Sequence, residues 1–96
     1  MFVIVAYDIS TKSPHGKRRL KHIAKICQDH GIRVQKSIFE CSLPYSHFLS
    51  LRTQLLEWLD PSSDSLRFYF LSEYSENRVE IYGSSRSIDL LEPLLF

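Results

Sequence analysis

Long apolar runs are missing from this chain of 96 residues. Its apolar side chains make up 44% of the total but are dispersed through mixed segments. None forms an uninterrupted stretch near the roughly 20 residues that cross a bilayer. The first apolar segment, Phe2 to Ala6, is too short for the core of a secretory leader and has no basic segment before it, so a cytosolic protein with no membrane association is expected. Cysteine is scarce as well. Cys27 and Cys41 form no CxxC pair, and the four histidines (His15, His22, His30, His47) show no zinc-like spacing with them. Cys27 falls on the apolar face of a predicted helix, and both thiols read as buried and reduced rather than redox-active. No internal repeat, low-complexity stretch or second-domain boundary is visible. The length allows one domain, small enough that pairing with a second copy would help to stabilise it.

Acidic residues are nearly absent from the first part of the chain. Residues 1 to 39 carry eight Lys/Arg against two Asp/Glu, whereas residues 40 to 96 carry four against nine. The net charge of +1 therefore hides halves of about +6 and −5. A chain polarised in this way presents one basic face to a polyanion while staying near neutral overall. The bland alternative is a solvated basic helix.

The segments that are present alternate between strand and helix patterns. Residues 2 to 7 are almost wholly apolar and rich in β-branched and aromatic types, as suits a central strand covered on both faces, and the strand ends in the lone carboxylate Asp8. Ser13 can cap a helix with Pro14 in its first turn. Leu20, Ile23, Ala24 and Cys27 follow at helical spacing up to Gly31, and Lys17, Arg18, Lys21 and Lys25 lie opposite. Gly16 weakens the first turn, so a mobile loop over 9–16 and a helix beginning at Lys17 are expected.

Arg33 to Leu43 reads as extended, with a slip in its alternation near Gln35 to Ser37 that predicts a bend or tight hairpin. Pro44 to Leu59 predicts a second amphipathic helix with Phe48, Leu51, Leu55, Trp58 and Leu59 on one stripe. Trp58 is there a core residue rather than a base-stacking platform. Strands are predicted over Leu66 to Leu71 and Arg78 to Tyr82, with a polar turn at Ser72 to Asn77 between them. This order fits an α+β, ferredoxin-like βαββαβ sheet with two helices on one face, whose other face must also be covered. The domain is placed at residues 1–83. Residues 84–96, including Ile88-Asp89-Leu90-Leu91-Glu92-Pro93-Leu94-Leu95-Phe96, form an apolar segment expected to dock on the dimer or another partner.

Five short motifs in this order resemble the small CRISPR-associated Cas-two proteins. They are the Tyr7-Asp8 strand end, the segment from Lys17-Arg18-Arg19-Leu20-Lys21 to Lys25, the run Arg33 to Cys41, the Asp60-Pro61 to Asp64-Ser65 turn, and Arg67-Phe68-Tyr69. The resemblance runs from about residue 2 to residue 83. It implies a ferredoxin-like homodimer in a prokaryotic cytoplasm that works with the Cas-one integrase to capture foreign DNA as new spacers, the dimer forming the central bridge. Members are also assigned metal-dependent nuclease activity on single-stranded RNA or double-stranded DNA, which their part in integration does not need.

Carried onto this chain, the resemblance implies Asp8 as the metal-binding and catalytic carboxylate. It places Tyr7 before it, and Arg18, Arg19, Arg33 and Phe39 in positions linked to nucleic acid or the active site, with Tyr7 and Phe39 as further catalytic candidates. A twofold axis beside the strand ends would bring two Asp8 to one Mg2+, an ion that keeps several waters and accepts few protein ligands. Apart from the resemblance, Asp8 reads as a loop-capping carboxylate that satisfies backbone N–H groups after the strand rather than as a metal ligand. Tyr7 and Phe39 read as packing or interface residues rather than chemical participants, because neither is an easy base near neutral pH. Lys17, Arg18, Arg19 and Lys21 are candidates for sequence-independent phosphate contacts, and Arg78 extends the track or pairs with Glu76 or Glu80.

Two features depart from the family pattern. The loop Ile9 to Gly16 is longer and contains no carboxylate, and the segment after Gly83 is individual. Three functions therefore compete: an adaptor that bridges integrase subunits on duplex DNA, a Mg2+-dependent endoribonuclease akin to the virulence-associated D-type toxins that share the fold, and an interaction module with an unrelated partner.

Overall fold

The computed structural model describes residues 1–71 and 78–84. Seven elements follow in order: β1 (Phe2–Asp8), α1 (Pro14–His30), β2 (Ile32–Gln35), β3 (Ile38–Ser42), α2 (Tyr45–Trp58), β4 (Ser65–Leu71) and β5 (Arg78–Gly83). The strands form one antiparallel sheet in the order β2-β3-β1-β4-β5. This is the ferredoxin-like order, in which β3 inserts between β1 and β2, extended by β5 at one edge.

β1 is central because its side chains are apolar on both faces, so it needs strands on both sides and cover above and below. Val3, Val5 and Tyr7 point into the main core with Phe39 and Cys41 of β3, Leu66, Phe68 and Phe70 of β4, and the helix residues Ile23, Cys27, Phe48, Leu51 and Leu55. Phe48 anchors α2 by meeting Phe68 and Phe70 edge-on, with ring centroids 5.1 and 5.0 Å apart. A smaller cluster of Ala6, Ile38 and Tyr69, with Ile4 against it, occupies the other sheet face.

Local chemistry sets the element ends. Ser13 is extended, and its Oγ accepts from the Gly16 backbone N–H at 3.2 Å, so α1 begins at Pro14 rather than at Lys17. Gly16 does not loosen this turn. It is buried where a Cβ would overlap the Ser10 carbonyl, which lets the first helical turn pack directly on the loop after β1. The expected hairpin slip is a register shift between Arg33 and Gln35, followed by the turn into Ile38. Trp58 is only half-buried. Its ring lies flat on His22 of α1, 3.8 Å away and tilted by 7°, so it joins the two helices at the rim of the core. The expected turn at residues 72–77 and the docking segment beyond Ser84 lie outside the described residues.

Both cysteines are free and fully buried, and burial pushes the Cys27 thiol up to about 12 and the Cys41 thiol up to about 11. A folded-state pKa raised above the ordinary value of 9.0 stabilises the fold below that pH, and the contribution is lost as pH rises, because the unfolded thiols ionise first. Stability is therefore expected to fall above about pH 9, by roughly 1.4 kcal/mol per pH unit for each thiol. Urea denaturation at pH 8 and pH 10 measures this decline, and a Cys27→Ala/Cys41→Ala variant should show a flatter one.

Candidate nucleic-acid interface

A groove of about 800 Å³ opens where β1 ends, between the first half of α1 and the β2–β3 hairpin. Tyr7, Asp8 and Ile9 form its floor, Lys17, Leu20, Lys21 and Ala24 one wall, and Arg33 to Ser37 the other. Lys17 and Lys21 are one helical turn apart and so share a face of α1. Arg33 and Lys36 approach from the hairpin. Four cations thus surround one exposed carboxylate, Asp8. Such a strip suits a phosphate backbone, which needs charge at intervals rather than base-specific geometry.

The floor is held by an aromatic stack. Tyr7 and Phe39 lie nearly parallel with centroids 6.2 Å apart, and the Arg33 guanidinium sits 5.1 Å above the Phe39 ring. The Tyr7 hydroxyl donates to the Lys36 carbonyl at 3.4 Å, tying β1 to the hairpin turn. Burial raises the Tyr7 pKa, opposed by Arg33. Phe39 is fully buried and offers substrate no surface; what it does here is support Arg33.

A second depression of about 320 Å³, lined by Ser10, Lys12, Ser62, Ser63, Ser65 and Ser84, borders Asp8 on its other side. Its shape depends on Asp64. This carboxylate is fully buried and takes Arg19 in a fork, from Nε at 2.8 Å and Nη2 at 3.2 Å. It also accepts from the Ser10 N–H at 2.9 Å and the Asp60 N–H at 3.0 Å. Its own carbonyl accepts from the Ser84 N–H at 2.7 Å, and Gly83, at φ 83°, turns the chain to reach it. Asp64 therefore joins α1, the β1–α1 loop and the 60–64 turn through its carboxylate, and the end of β5 through its backbone carbonyl. Ser10, two residues after Asp8, is held by this clasp.

The structure sorts the sequence candidates. Lys17, Lys21 and Arg33 converge on Asp8. Arg18 is exposed outside the groove wall. The Arg19 fork is occupied by Asp64, whose hydrogen bond raises the arginine's pKa further. Arg78 lies on the opposite edge strand, 3.7 Å from Glu80 and with its guanidinium 4.4 Å above the Phe70 ring. Lys36 and Lys12 were not singled out in the sequence, although the break in alternation at Gln35 to Ser37 marked the turn that carries Lys36. Among the described residues no group of three His, Cys, Asp or Glu side chains gathers where it could hold a metal ion. Asp8 alone does not make a cation site within one protomer.

Comparison with known proteins gives the family. The model for "CRISPR associated protein Cas2" matches residues 1–79. A CRISPR-associated endoribonuclease Cas2 of Chlorobaculum tepidum is 49% identical over 90 residues, covering 94% of each chain. A CRISPR-associated endonuclease Cas2 of Halalkalibacterium halodurans is 43% identical over 96 residues, covering 100% of both. The crystal structure of Streptococcus pyogenes Cas2 at pH 6.5 superposes with a TM-score of 0.70 at 44% identity, covering 77% of this chain and 89% of that one. With the ferredoxin-like sheet and the matched motifs in place over most of its length, the chain belongs to the CRISPR-associated Cas2 family.

Proposed function

We propose that this chain acts as a homodimeric adaptation subunit, a nucleic-acid-binding adaptor that bridges subunits of the Cas-one integrase during spacer acquisition in a prokaryotic cytoplasm. The observation that carries this reading is the convergence of Lys17, Lys21, Arg33 and Lys36 around one groove, a track of cations without base-reading geometry. Capture of foreign DNA requires that indifference to sequence. No helix of the described residues is long and apolar enough to cross a membrane.

Pairing is supported by the sheet face opposite the helices. Phe2, Ile32, Leu71, Val79 and Ile81 are all at least 36% exposed, and strand pairing puts them on the same face. A second copy that covers this face also offers a second Asp8. Two such carboxylates fit Mg2+, which accepts few protein ligands and would supply an activated water for phosphodiester hydrolysis. On this reading Asp8 holds the ion, while Lys17, Lys21 and Arg33 bind and orient the phosphate strand beside it.

The names of the relatives keep a second reading open, an endoribonuclease that acts independently of integration. One experiment separates the two. Integration of spacer DNA by the purified cognate integrase is measured with wild type, Asp8→Asn, Lys17→Ala/Lys21→Ala and no added chain, beside a Mg2+-dependent cleavage assay on single-stranded RNA and duplex DNA. The adaptor reading expects Asp8→Asn to integrate at wild-type rate and the lysine variant to lose at least 10-fold. If wild type leaves integration unstimulated, yet cuts RNA and Asp8→Asn does not, the toxin-like enzyme replaces it. Arg19→Ala is unsuitable as a binding variant, because it would break the Asp64 clasp.

A further inference from the structure

We infer that the depression bordering Asp8 on the side away from the groove is a ribonucleotide subsite, in which Lys12 takes a phosphate and the Ser62 hydroxyl accepts a hydrogen bond from a ribose 2′-OH. The inference rests on the nucleic-acid-binding reading above, since Asp8 lines both the cationic groove and this depression. A strand that runs along the groove and over Asp8 enters the depression next. Its volume of about 320 Å³ lies at the small end of ligand-sized sites, and suits one nucleotide unit rather than a helix. Two segments supply most of its wall, Ser10 and Lys12 from the loop after β1 and Ser62 and Ser63 from the 60–64 turn. Asp64 fixes both in advance, through the Ser10 N–H at 2.9 Å and the Asp60 N–H at 3.0 Å, so a ligand need not order them.

The groove offers four cations, whereas the depression offers hydroxyls and the single cation Lys12 among the described residues. Lys12 is exposed, and its ammonium makes no hydrogen bond or ion pair with the other described residues, which leaves it available to a phosphate oxygen. Ser62 is already polarised. Its Oγ donates its one proton to Asp60 Oδ1 at 2.7 Å, and its backbone N–H donates to the same oxygen at 3.0 Å. These two bonds hold the Asp60 carboxyl below its ordinary range, so the carboxylate stays ionised and keeps the hydroxyl proton directed at it. Towards a ligand the Ser62 oxygen can then only accept. Ser63 is turned inward, its Oγ lying 3.4 Å from both Arg19 Nη2 and Asp64 Oδ1. A free phosphate would use Lys12 and leave the Ser62 acceptor without a donor, and so would a deoxyribose strand. A ribonucleotide satisfies both groups, because its 2′-OH supplies the donor. Ser62 therefore reads the sugar, and Lys12 anchors the strand without regard to sugar or sequence.

The test varies the sugar and the protein separately. Short single strands of one sequence, as RNA, DNA and 2′-fluoro RNA, are titrated with the full chain by fluorescence anisotropy at about 0.1 M salt without divalent ions, so that binding is read apart from cleavage. Wild type is expected to bind RNA about 5-fold more tightly than DNA, the worth of one hydrogen bond. 2′-Fluoro RNA keeps the ribose pucker but has no proton to donate, and should bind as DNA does. Ser62→Ala should bring RNA down to the DNA level and leave DNA unchanged, whereas Lys12→Ala should weaken both strands by the same factor. An RNA preference that survives in Ser62→Ala would overturn the inference, as would 2′-fluoro RNA that binds as tightly as RNA. The sugar series is read on wild type, so it decides the matter even where a substitution disturbs the 60–64 turn. Wild type that binds none of the strands removes the nucleic-acid-binding reading itself. Equal binding of RNA and DNA, lost in Lys17→Ala/Lys21→Ala, keeps that reading and removes the subsite alone.

Discussion

Replacing Asp64 by alanine is expected to destabilise the fold by about 3–5 kcal/mol, the range for removing one member of a buried ion pair. The loss is large because Asp64 is fully buried and serves several donors at once. The Arg19 fork, the Ser10 N–H and the Asp60 N–H would all lose their acceptor. Water reaches Arg19 more easily than the carboxylate, since the arginine side chain is 17% exposed against 0%. Removing the arginine should therefore be as harmful as removing the acid, as Arg19→Ala leaves an uncompensated charge in the interior. Asp64→Asn keeps the shape and one acceptor oxygen, and should cost less.

Thermal unfolding measures the difference. In a domain of this size each kcal/mol moves the midpoint by roughly 4–8 °C, so Asp64→Ala should melt about 12 °C or more below wild type. A shift under about 4 °C would show that the clasp is not what holds the 60–64 turn. The effect should reach the groove as well. Because Asp64 holds Ser10, the variant frees the loop that follows Asp8, and any Asp8-dependent activity should fall with Asp8 itself intact.

The second large effect is expected on nucleic-acid affinity. Replacing Lys17, Lys21 and Arg33 together by alanine should weaken binding to duplex DNA of any sequence, on the order of 100-fold or more at 0.1 M salt. The slope of log affinity against log salt should shrink by about 0.9 for each duplex phosphate contact removed, and so by up to about 2.7 for the three. Single substitutions at Arg18, outside the groove, and Arg78, on the far edge strand, provide the contrast and should each change the slope by less than one contact. Fluorescence anisotropy over a salt series on two unrelated duplexes decides the matter. Equal losses for Arg18→Ala and Lys17→Ala would mean that binding follows the whole basic helix rather than the groove. Arg33→Lys is informative in its own right, because it preserves charge but gives up the planar contact with Phe39.

Much of the fold was legible because it follows from period and composition. A strand apolar on both faces had to be interior, as β1 is. Apolar spacing on the two helices picked out Ile23, Cys27, Phe48, Leu51 and Leu55, all of which are buried. The break in alternation near Gln35 marked a true hairpin with a register shift. Where expectation and structure part, tertiary packing overrode a local preference. Gly16 is a poor helix former, yet α1 begins ahead of it, since Ser13 caps the turn and only a residue without a side chain fits against Ser10. Trp58 follows the core stripe in period, but the helix ends beside it and leaves the ring at the rim on His22.

By itself the sequence determined the element order, the central strand with Asp8 at its end, and the uneven charge that marks the N-terminal half as the basic one. These depend on neighbours within a few positions along the chain. Only the tertiary structure decided what each cation in Lys17-Arg18-Arg19-Leu20-Lys21 faces. Successive helical residues diverge by about a quarter turn, so one linear cluster sends Lys17 and Lys21 into the groove, leaves Arg18 outside it and turns Arg19 inward. Asp64, the partner that claims Arg19, lies 45 positions away. No periodicity reports a contact of that kind, because chain closure and core packing, rather than local spacing, bring its two ends together.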